Sequence, residues 1–433
     1  MKRAHRRWLA FVKARLVRAY TTGKRAILTD ADVTIERRDS EVAEAESFAR
    51  AAESLRGGVA KLAQLRAYLD GSAPDARSRL AALWDRMPGD EPARIRRVIV
   101  EELGAEPEAL FGRWEMAPLA AASLGQVHGA EDSAGARLAV KVQYPEVAAA
   151  LHDDLASPAL LREMVGGELG AGVDGEALER LRAQLLVELD YREEARSLSR
   201  FADAWNRDPQ IVVPRPRVDR SAARVLTMER LDGSSLAQLA RDGSDAERAQ
   251  VARTILRFAL GSPLLHGLFN ADPHPGNYLV LGAAAGRVGF VDFGCVGTLT
   301  PELQAADRQL WRAMIIREGE ELRHAAYLQG LVTDADVFEN QTWREWEQAL
   351  AAPFLARGDF ELTPEHVRHL VAVTGQLLRG QRMSLPAGVL LLWRQRLGAL
   401  TVVAQLRPRL AFRPLLAELL ADSHPIPLLD RYR

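Results

Sequence analysis

At 433 residues the chain exceeds what one hydrophobic core ordinarily sustains, so two or three lobes are expected. Its 57 Lys and Arg stand against 58 Asp and Glu, a net charge of −1, which excludes a global pull toward nucleic acid and leaves any electrostatic function to local clusters. A single cysteine, Cys295, excludes intramolecular disulfides and cysteine-based zinc clusters, and fits a reducing, cytoplasmic setting.

Residues 5–20 place Trp8, Val12, Leu16 and Tyr20 on one helical stripe, with Arg6, Arg7, Lys13, Arg15 and Arg18 elsewhere. This basic amphipathic helix either docks reversibly on an anionic membrane surface or packs on the body of the protein with a solvated basic face. Recurring Arg, Lys and His over the first 25 residues do not read as a secretory signal. The apolar stretches 255–269 and 386–403 are too short, or are interrupted by Arg394 and Arg396, to read as membrane spans.

A second helical pattern over residues 39–68 turns Phe48, Leu55, Val59 and Leu62 inward, and Lys61 and Gln64 share a face beside that stripe. Helices resume over 80–103 around a Met-Pro-Gly-Asp turn at Met87. From Trp114 the pattern becomes strand-like: residues 120–127, Ala-Ala-Ala-Ser-Leu-Gly-Gln-Val, form a small-residue loop region, a turn follows at 132–135, and 137–142 carry Lys141 between two valines. By the period-two rule Lys141 faces opposite to Val140 and Val142, into a cleft if the valines are buried. Small residues there let backbone amides approach an anion closely.

Residues 173–201 read as one long helix with Glu188, Asp190, Glu193 and Glu194 crowding its later part. A strand lysine and a helix glutamate form the ion pair that positions nucleotide phosphates in kinase folds. Glu188 and Glu194 are both open for that role, more than one and a half turns apart and so on different faces. Strands are expected over 211–218, a proline-rich edge, and 224–228. The segment 229–233 that follows, Glu-Arg-Leu-Asp-Gly, suits a connector between lobes whose backbone could contact adenine. The rest is mainly helical: at least four helices, near 301–318, 334–355, 364–378 and 385–406, follow a hairpin turning at 282–286.

The stretch 269–294 carries the chemistry. Asp272 is followed five residues on by Asn277, and Asp292-Phe293-Gly294 comes about twenty residues after Asp272. This is how kinase-like folds space a base and two magnesium ligands. Phosphoryl transfer needs charge neutralisation and alignment rather than a covalent intermediate, so Lys141, a helix glutamate, Asp272 as base and Asn277 and Asp292 as metal ligands form a sufficient set. No Ala-Pro-Glu tripeptide follows, so the apparatus that holds peptide substrates in ordinary protein kinases is not visible.

From about residue 48 to 297 these motifs resemble the UbiB/AarF family of atypical protein-kinase-like proteins. Residues 120–128 are similar to its alanine-rich loop, 140–145 to its lysine strand, Glu188-Leu-Asp190 to its Glu-x-Asp signature, and 272–277 and 292–294 to its catalytic and metal loops. The resemblance assigns the lysine-pairing role to Glu194 and makes Lys61 and Gln64 candidate gate residues on a helix folded over the site. It implies an α+β, two-lobed kinase-like fold divided into 1–37, a basic amphipathic segment; 38–112, a helical extension; 113–232, a small antiparallel-sheet lobe; and 233–433, a helical lobe. It further implies ATP or ADP with Mg2+ or Mn2+, held by Ala120, Ala121, Ala122, Ser123, Gly125, Val127, Lys141, Glu229 and Leu231 for the nucleotide and by Asn277 and Asp292 for the metal.

A link to isoprenoid quinone or lipid metabolism at the inner face of a membrane follows from the same resemblance. Two residues depart from the family pattern: Ala63 replaces the signature's glycine, and Asn270 stands where a histidine often precedes the catalytic Asp. The leading expectation is an atypical kinase or ATPase serving lipids. A nucleotide-binding scaffold without turnover and a small-molecule phosphotransferase are the competing readings.

Overall fold

A computed structural model describes residues 90–421, apart from 123, 156–174, 176–178, 180–181, 184–185, 317–318 and 333–334. The basic helix at 5–20, the Lys61 and Gln64 signature and Ser123 lie outside the described residues. The chain divides into two compact units at Gly170.

In the first unit, α1 (Pro92–Leu103) begins on a proline, whose missing N–H costs nothing in a first turn, and stops at Gly104 in the left-handed conformation. Ile95, Val98 and Ile99, spaced three and four apart, are its buried face. After the short α2 (Pro107–Leu110), three strands form an antiparallel meander: β1 (Arg113–Ala121), β2 (Gly125–Glu131) and β3 (Arg137–Gln143). Asp132 makes the expected β2–β3 turn, its carboxylate accepting from the N–H groups of Ala134 and Ala136. Helix α3 (Val147–Leu155) follows.

Val140 and Val142 are fully buried, and so is the rest of β3 from Leu138 to Gln143, so burial does not alternate along this strand. The alanine-rich segment is shorter as a loop than expected. Ala120 pairs with Val127 and Ala121 with Gln126, so the ladder runs on to Ala121, and Ala122 N–H still donates to Gly125 O at 2.8 Å. At Gly125 a Cβ would lie 2.1 Å from the carbonyl oxygen of Val142, so only glycine permits this strand approach.

A buried polar chain fixes the register of this sheet. His128 Nδ1 lies 3.0 Å from the carbonyl of Glu115, so the proton sits on Nδ1 and Nε2 accepts from the Gln126 amide at 2.8 Å. Gln126 Oε1 in turn accepts from Asp90 N–H at 2.7 Å, and Trp114 stacks on the imidazole. Burial pushes the His128 pKa down, so the folded state keeps the ring neutral while the unfolded chain protonates near pH 6.5. The unfolded state therefore binds more protons below that pH, and this stabilisation is complete above it and lost on acidification. The difference in urea midpoint between wild type and His128→Gln is expected to shrink from pH 8 to pH 5; a pH-independent difference would refute the assignment.

In the second unit, α4 (Tyr191–Ala204) starts at Asp190, whose carboxylate accepts from Arg192 N–H as an N-cap. The long helix expected over 173–201 is therefore broken: Glu188 and Leu189 form a turn just before a new helix. Beyond it, β4 (Ile211–Val212), β5 (Val225–Glu229) and β6 (Ser234–Ser235) precede α5 (Leu236–Asp242) and α6 (Asp245–His266). The proline-rich edge shrinks to the two residues of β4 and a single bridge from Pro216 to Met228, because Pro214 and Pro216 offer no N–H to a ladder. Helix α6 opens on a capping box between Ser244 and Glu247, is buried on most sides, and ends at Gly267 with φ of 64°.

That left-handed glycine turns the chain straight into β7 (Leu268–Asn270), which pairs with β10 (Val296–Thr298). Between them lie β8 (Tyr278–Gly282) and β9 (Arg287–Phe290), the expected hairpin, in a four-stranded sheet of order β4-β9-β8-β6. The remaining helices are α7 (Pro301–Ile316), α8 (Gly319–Leu328), α9 (Gln341–Leu355), α10 (Pro364–Arg379), α11 (Ala387–Ala404) and α12 (Phe412–Ala421). The two-residue strands β11 (Phe360–Glu361) and β12 (Arg409–Leu410) pair among them.

Candidate functional site

The loop after β7 and the loop after β9 are held as one hydrogen-bonded unit. Asn270 Nδ2 donates to the carbonyl of Asp292 at 2.6 Å, and its Oδ1 accepts from Asp272 N–H at 3.1 Å. Asn277 Nδ2 donates to the carbonyl of Asp272 at 3.0 Å, and Asn277 O accepts from Val291 N–H at 3.1 Å. Both asparagines thus use their amide nitrogens on backbone carbonyls, which orients each Oδ1 as an acceptor. Asn270, at the position where the family resemblance expects a histidine, ties both aspartates by its two ends.

Pro273 and Pro275 stiffen this turn. His274 N–H donates to Asp272 O, Gly276 N–H donates to His274 Nδ1, and Pro275–Asn277 forms a 3-10 turn. Beneath it, Phe269, Ala271, Cys295, Leu299 and Leu392 form an apolar cluster that fixes the two strands. Asp272 is buried and Asn277 and Asp292 are half-buried, so charge at this site is shielded from bulk water but reachable.

Acidic groups gather at Gly294. Asp292 Oδ1 accepts from Gly294 N–H at 3.0 Å, and Glu194 Oε1 is 3.4 Å from Phe293 N–H. A Cβ at Gly294 would stand 3.4 Å from Asp292 Oδ1, 3.7 Å from Glu194 Oε2 and 3.8 Å from Glu188 Oε2. Glu188 and Glu194 therefore converge, where the sequence put them on different faces. The break at Asp190 is the reason, since Glu188 lies in the turn and is not bound to the helical period of Glu194. Asp190 itself caps and salt-bridges Arg192, which holds its carboxyl below the usual range.

The other expected residues fall as follows. Lys141 is buried on β3 of the first unit, with Gly125 buried, Val127 and Ala122 half-buried and Ala120 and Ala121 exposed. Glu229 closes β5 and its Oε2 accepts from Arg215 N–H, while Leu231 packs over Gly289, whose added Cβ would meet Leu231 Cδ1 at 2.8 Å.

One site residue escaped the motif reading. Arg394 on α11 donates from Nη2 to Asp272 Oδ1 at 3.1 Å, with 4% and 8% of the two side chains exposed. The signal was present as two arginines inside an apolar helical stretch, since buried arginine demands a partner.

A family model described as the ABC1 atypical kinase-like domain matches residues 82–326. An uncharacterized protein of Mycobacterium tuberculosis, Rv0647c, is 32% identical over 267 residues, which cover 60% of this chain and 54% of that protein. The atypical kinase COQ8B, mitochondrial, of Rattus norvegicus is 29% identical over 386 residues, 86% of this chain and 71% of the relative. The chain thus spans about half the length of the first of these relatives. Among solved structures, the Rv3197–erythromycin complex from Mycobacterium tuberculosis superposes with a TM-score of 0.62 at 26% identity, covering 90% of this chain and 98% of the other. With an α+β, kinase-like fold and a family match over more than half its length, the chain belongs to the ABC1 atypical kinase-like family.

Proposed function

We propose that the protein binds a magnesium nucleotide and transfers or hydrolyses its terminal phosphoryl group in support of isoprenoid quinone or other lipid metabolism. The observation that carries this reading is the joined pair of loops, in which Asn270 ties Asp272 to Asp292 and Asn277 is tied to Asp272 through its own amide.

The residues fit the cation. Mg2+ takes one or two protein oxygens plus phosphate oxygens and water rather than a full protein cage. Asn277 Oδ1 and Asp292 are the oxygens that would hold it, and among the described residues no cluster of three or more His, Cys, Asp or Glu is arranged as a self-sufficient metal site. When bound, the metal neutralises charge on the transferring phosphoryl group. Lys141 would hold the phosphates, with Glu194 as its pairing acid, while the alanine-rich segment 120–127 and the connector from Glu229 to Leu231 would bind the rest of the nucleotide. Asp272 orients the acceptor hydroxyl and takes its proton as the acceptor oxygen bonds to phosphorus and the nucleotide leaves with the former bridging oxygen.

Lys61 and Gln64 would gate this site. The basic segment 1–37 would bring the protein to the inner face of an anionic membrane, where a phenolic, quinone-like lipid is the candidate partner. Among the described residues no helix is long and apolar enough to cross a membrane. The test is magnesium-dependent ATP hydrolysis with and without anionic liposomes and a phenolic quinone analogue. Turnover stimulated by either supports the reading. Background rates under every condition would favour a scaffold, and rapid phosphorylation of a soluble alcohol without lipid would favour a small-molecule kinase.

A further inference from the structure

Helix α11 approaches the catalytic-type loop with two residues four apart, and therefore on one face. Arg394 reaches Asp272 Oδ1 at 3.1 Å and lies 3.8 Å from Cys295 Sγ through its other terminal nitrogen. One turn later, a Cβ on Gly398 would lie 2.2 Å from Pro273 Cγ, a separation that real side chains do not reach. The helix backbone thus touches Pro273 at the position next to the one that Arg394 grips.

The helix is itself fixed from other directions. Gln395 Nε2 donates to Ala259 O on α6 at 2.9 Å, and Arg396 pairs with the fully buried Asp307 of α7. By contrast, the bonds from Asn270 and Asn277 to Asp272 reach only its backbone N–H and C=O. They set where the residue is, and leave the direction of its carboxylate to a side-chain contact.

We propose that Arg394 is a positioning residue that aims the Asp272 carboxylate, and that Gly398 is the gap through which α11 comes close enough to do so. The proposal rests on the reading that Asp272 serves the acceptor. Misplacing a reacting group by about 1 Å costs on the order of 100-fold in rate, so Arg394→Met is expected to lower kcat about that much while nucleotide affinity, read with a fluorescent ADP analogue, stays unchanged. Arg394→Lys, which keeps the charge but loses the planar fork, is expected to recover part of the loss. In the Arg394→Met background, Asp272→Ala is expected to bring kcat no lower than Asp272→Ala alone, because both remove one function.

Multiplying losses, a parallel fall in nucleotide binding, or a lysine variant no better than methionine would each overturn the proposal. If Arg394→Met does not fold, Arg394→Gln, which keeps a neutral donor, replaces it in the same cycle. A wild type without turnover would instead overturn the phosphoryl-transfer reading. The pair would then be judged by urea denaturation of the same four proteins, where coupled losses support the contact and additive losses overturn it.

Discussion

Asp292→Asn is expected to lower magnesium-dependent nucleotide turnover about 10³-fold, equivalent to ~4 kcal/mol of barrier, while the folded structure survives. The amide keeps the shape of the carboxylate and an oxygen able to accept from Gly294 N–H, the bond that Asp292 Oδ1 makes at 3.0 Å. Its backbone carbonyl, which accepts from Asn270, is untouched. What disappears is the negative charge that a divalent cation requires, at a position where Glu194 and Glu188 supply carboxylate oxygens but neither belongs to the hydrogen-bonded loop pair. Stability is expected to stay within about 1 kcal/mol of wild type. The measurement is steady-state hydrolysis at saturating magnesium, paired with thermal denaturation of the same preparations. Equal rates for the two proteins would remove Asp292 from the chemistry; a lost rate accompanied by unfolding would leave its role structural.

The largest effect on stability is expected at Arg396. Its guanidinium lies between the rings of Trp311 and Trp393, at 5.2 and 5.1 Å from their centroids, and pairs with Asp307, which also accepts from Gln329 Nε2 at 3.1 Å. Both charged side chains are sealed from solvent, at 1% and 0% exposure. Arg396→Met strands the carboxylate of Asp307 in the core and is expected to cost about 3–5 kcal/mol. Asp307→Leu strands the guanidinium at a similar cost. The double substitution removes both charges and is expected to recover most of the loss, because desolvating two ions consumes much of their attraction. Urea midpoints of the four proteins check this, and additive losses in the double variant would exclude the argument. Arg394 and Arg396 are two residues apart, roughly 200° around an α-helix, so α11 is anchored in the core on one side and holds Asp272 on the other.

These two arginines also mark where the sequence stops being readable. The spacing of Asp272, Asn277 and Asp292 falls within about twenty residues, and the Asp132 turn within four; each is legible because partner and residue lie in one short stretch of chain. Arg394 and Arg396 find their carboxylates 122 and 89 residues away, and no periodicity encodes that distance. They registered only as charges that disqualify a membrane span. The convergence of Glu188 and Glu194 was missed for the opposite reason. The helical periodicity runs through Asp190, but its carboxylate caps the next helix and leaves Glu188 outside that helix's period. The alanine segment reads as a loop from sequence yet pairs as far as Ala121, because small residues suit both a loop and a tightly paired strand end.

The single thiol acquires a use from its surroundings. Cys295 is buried to 2% exposure, and its carbonyl accepts from Ala271 N–H, so it sits in the seam beside the two hydrogen-bonded loops. A reagent such as a disulfide dye reaches it only when the packing of β7, β10 and α11 around it opens, which makes the rate of modification a clock for local opening of the seam. No engineered label is needed, since the chain has one cysteine. Magnesium nucleotide is expected to slow that clock, and the ratio of rates would report, in an otherwise unmodified protein, how firmly a bound ligand clasps the loops together.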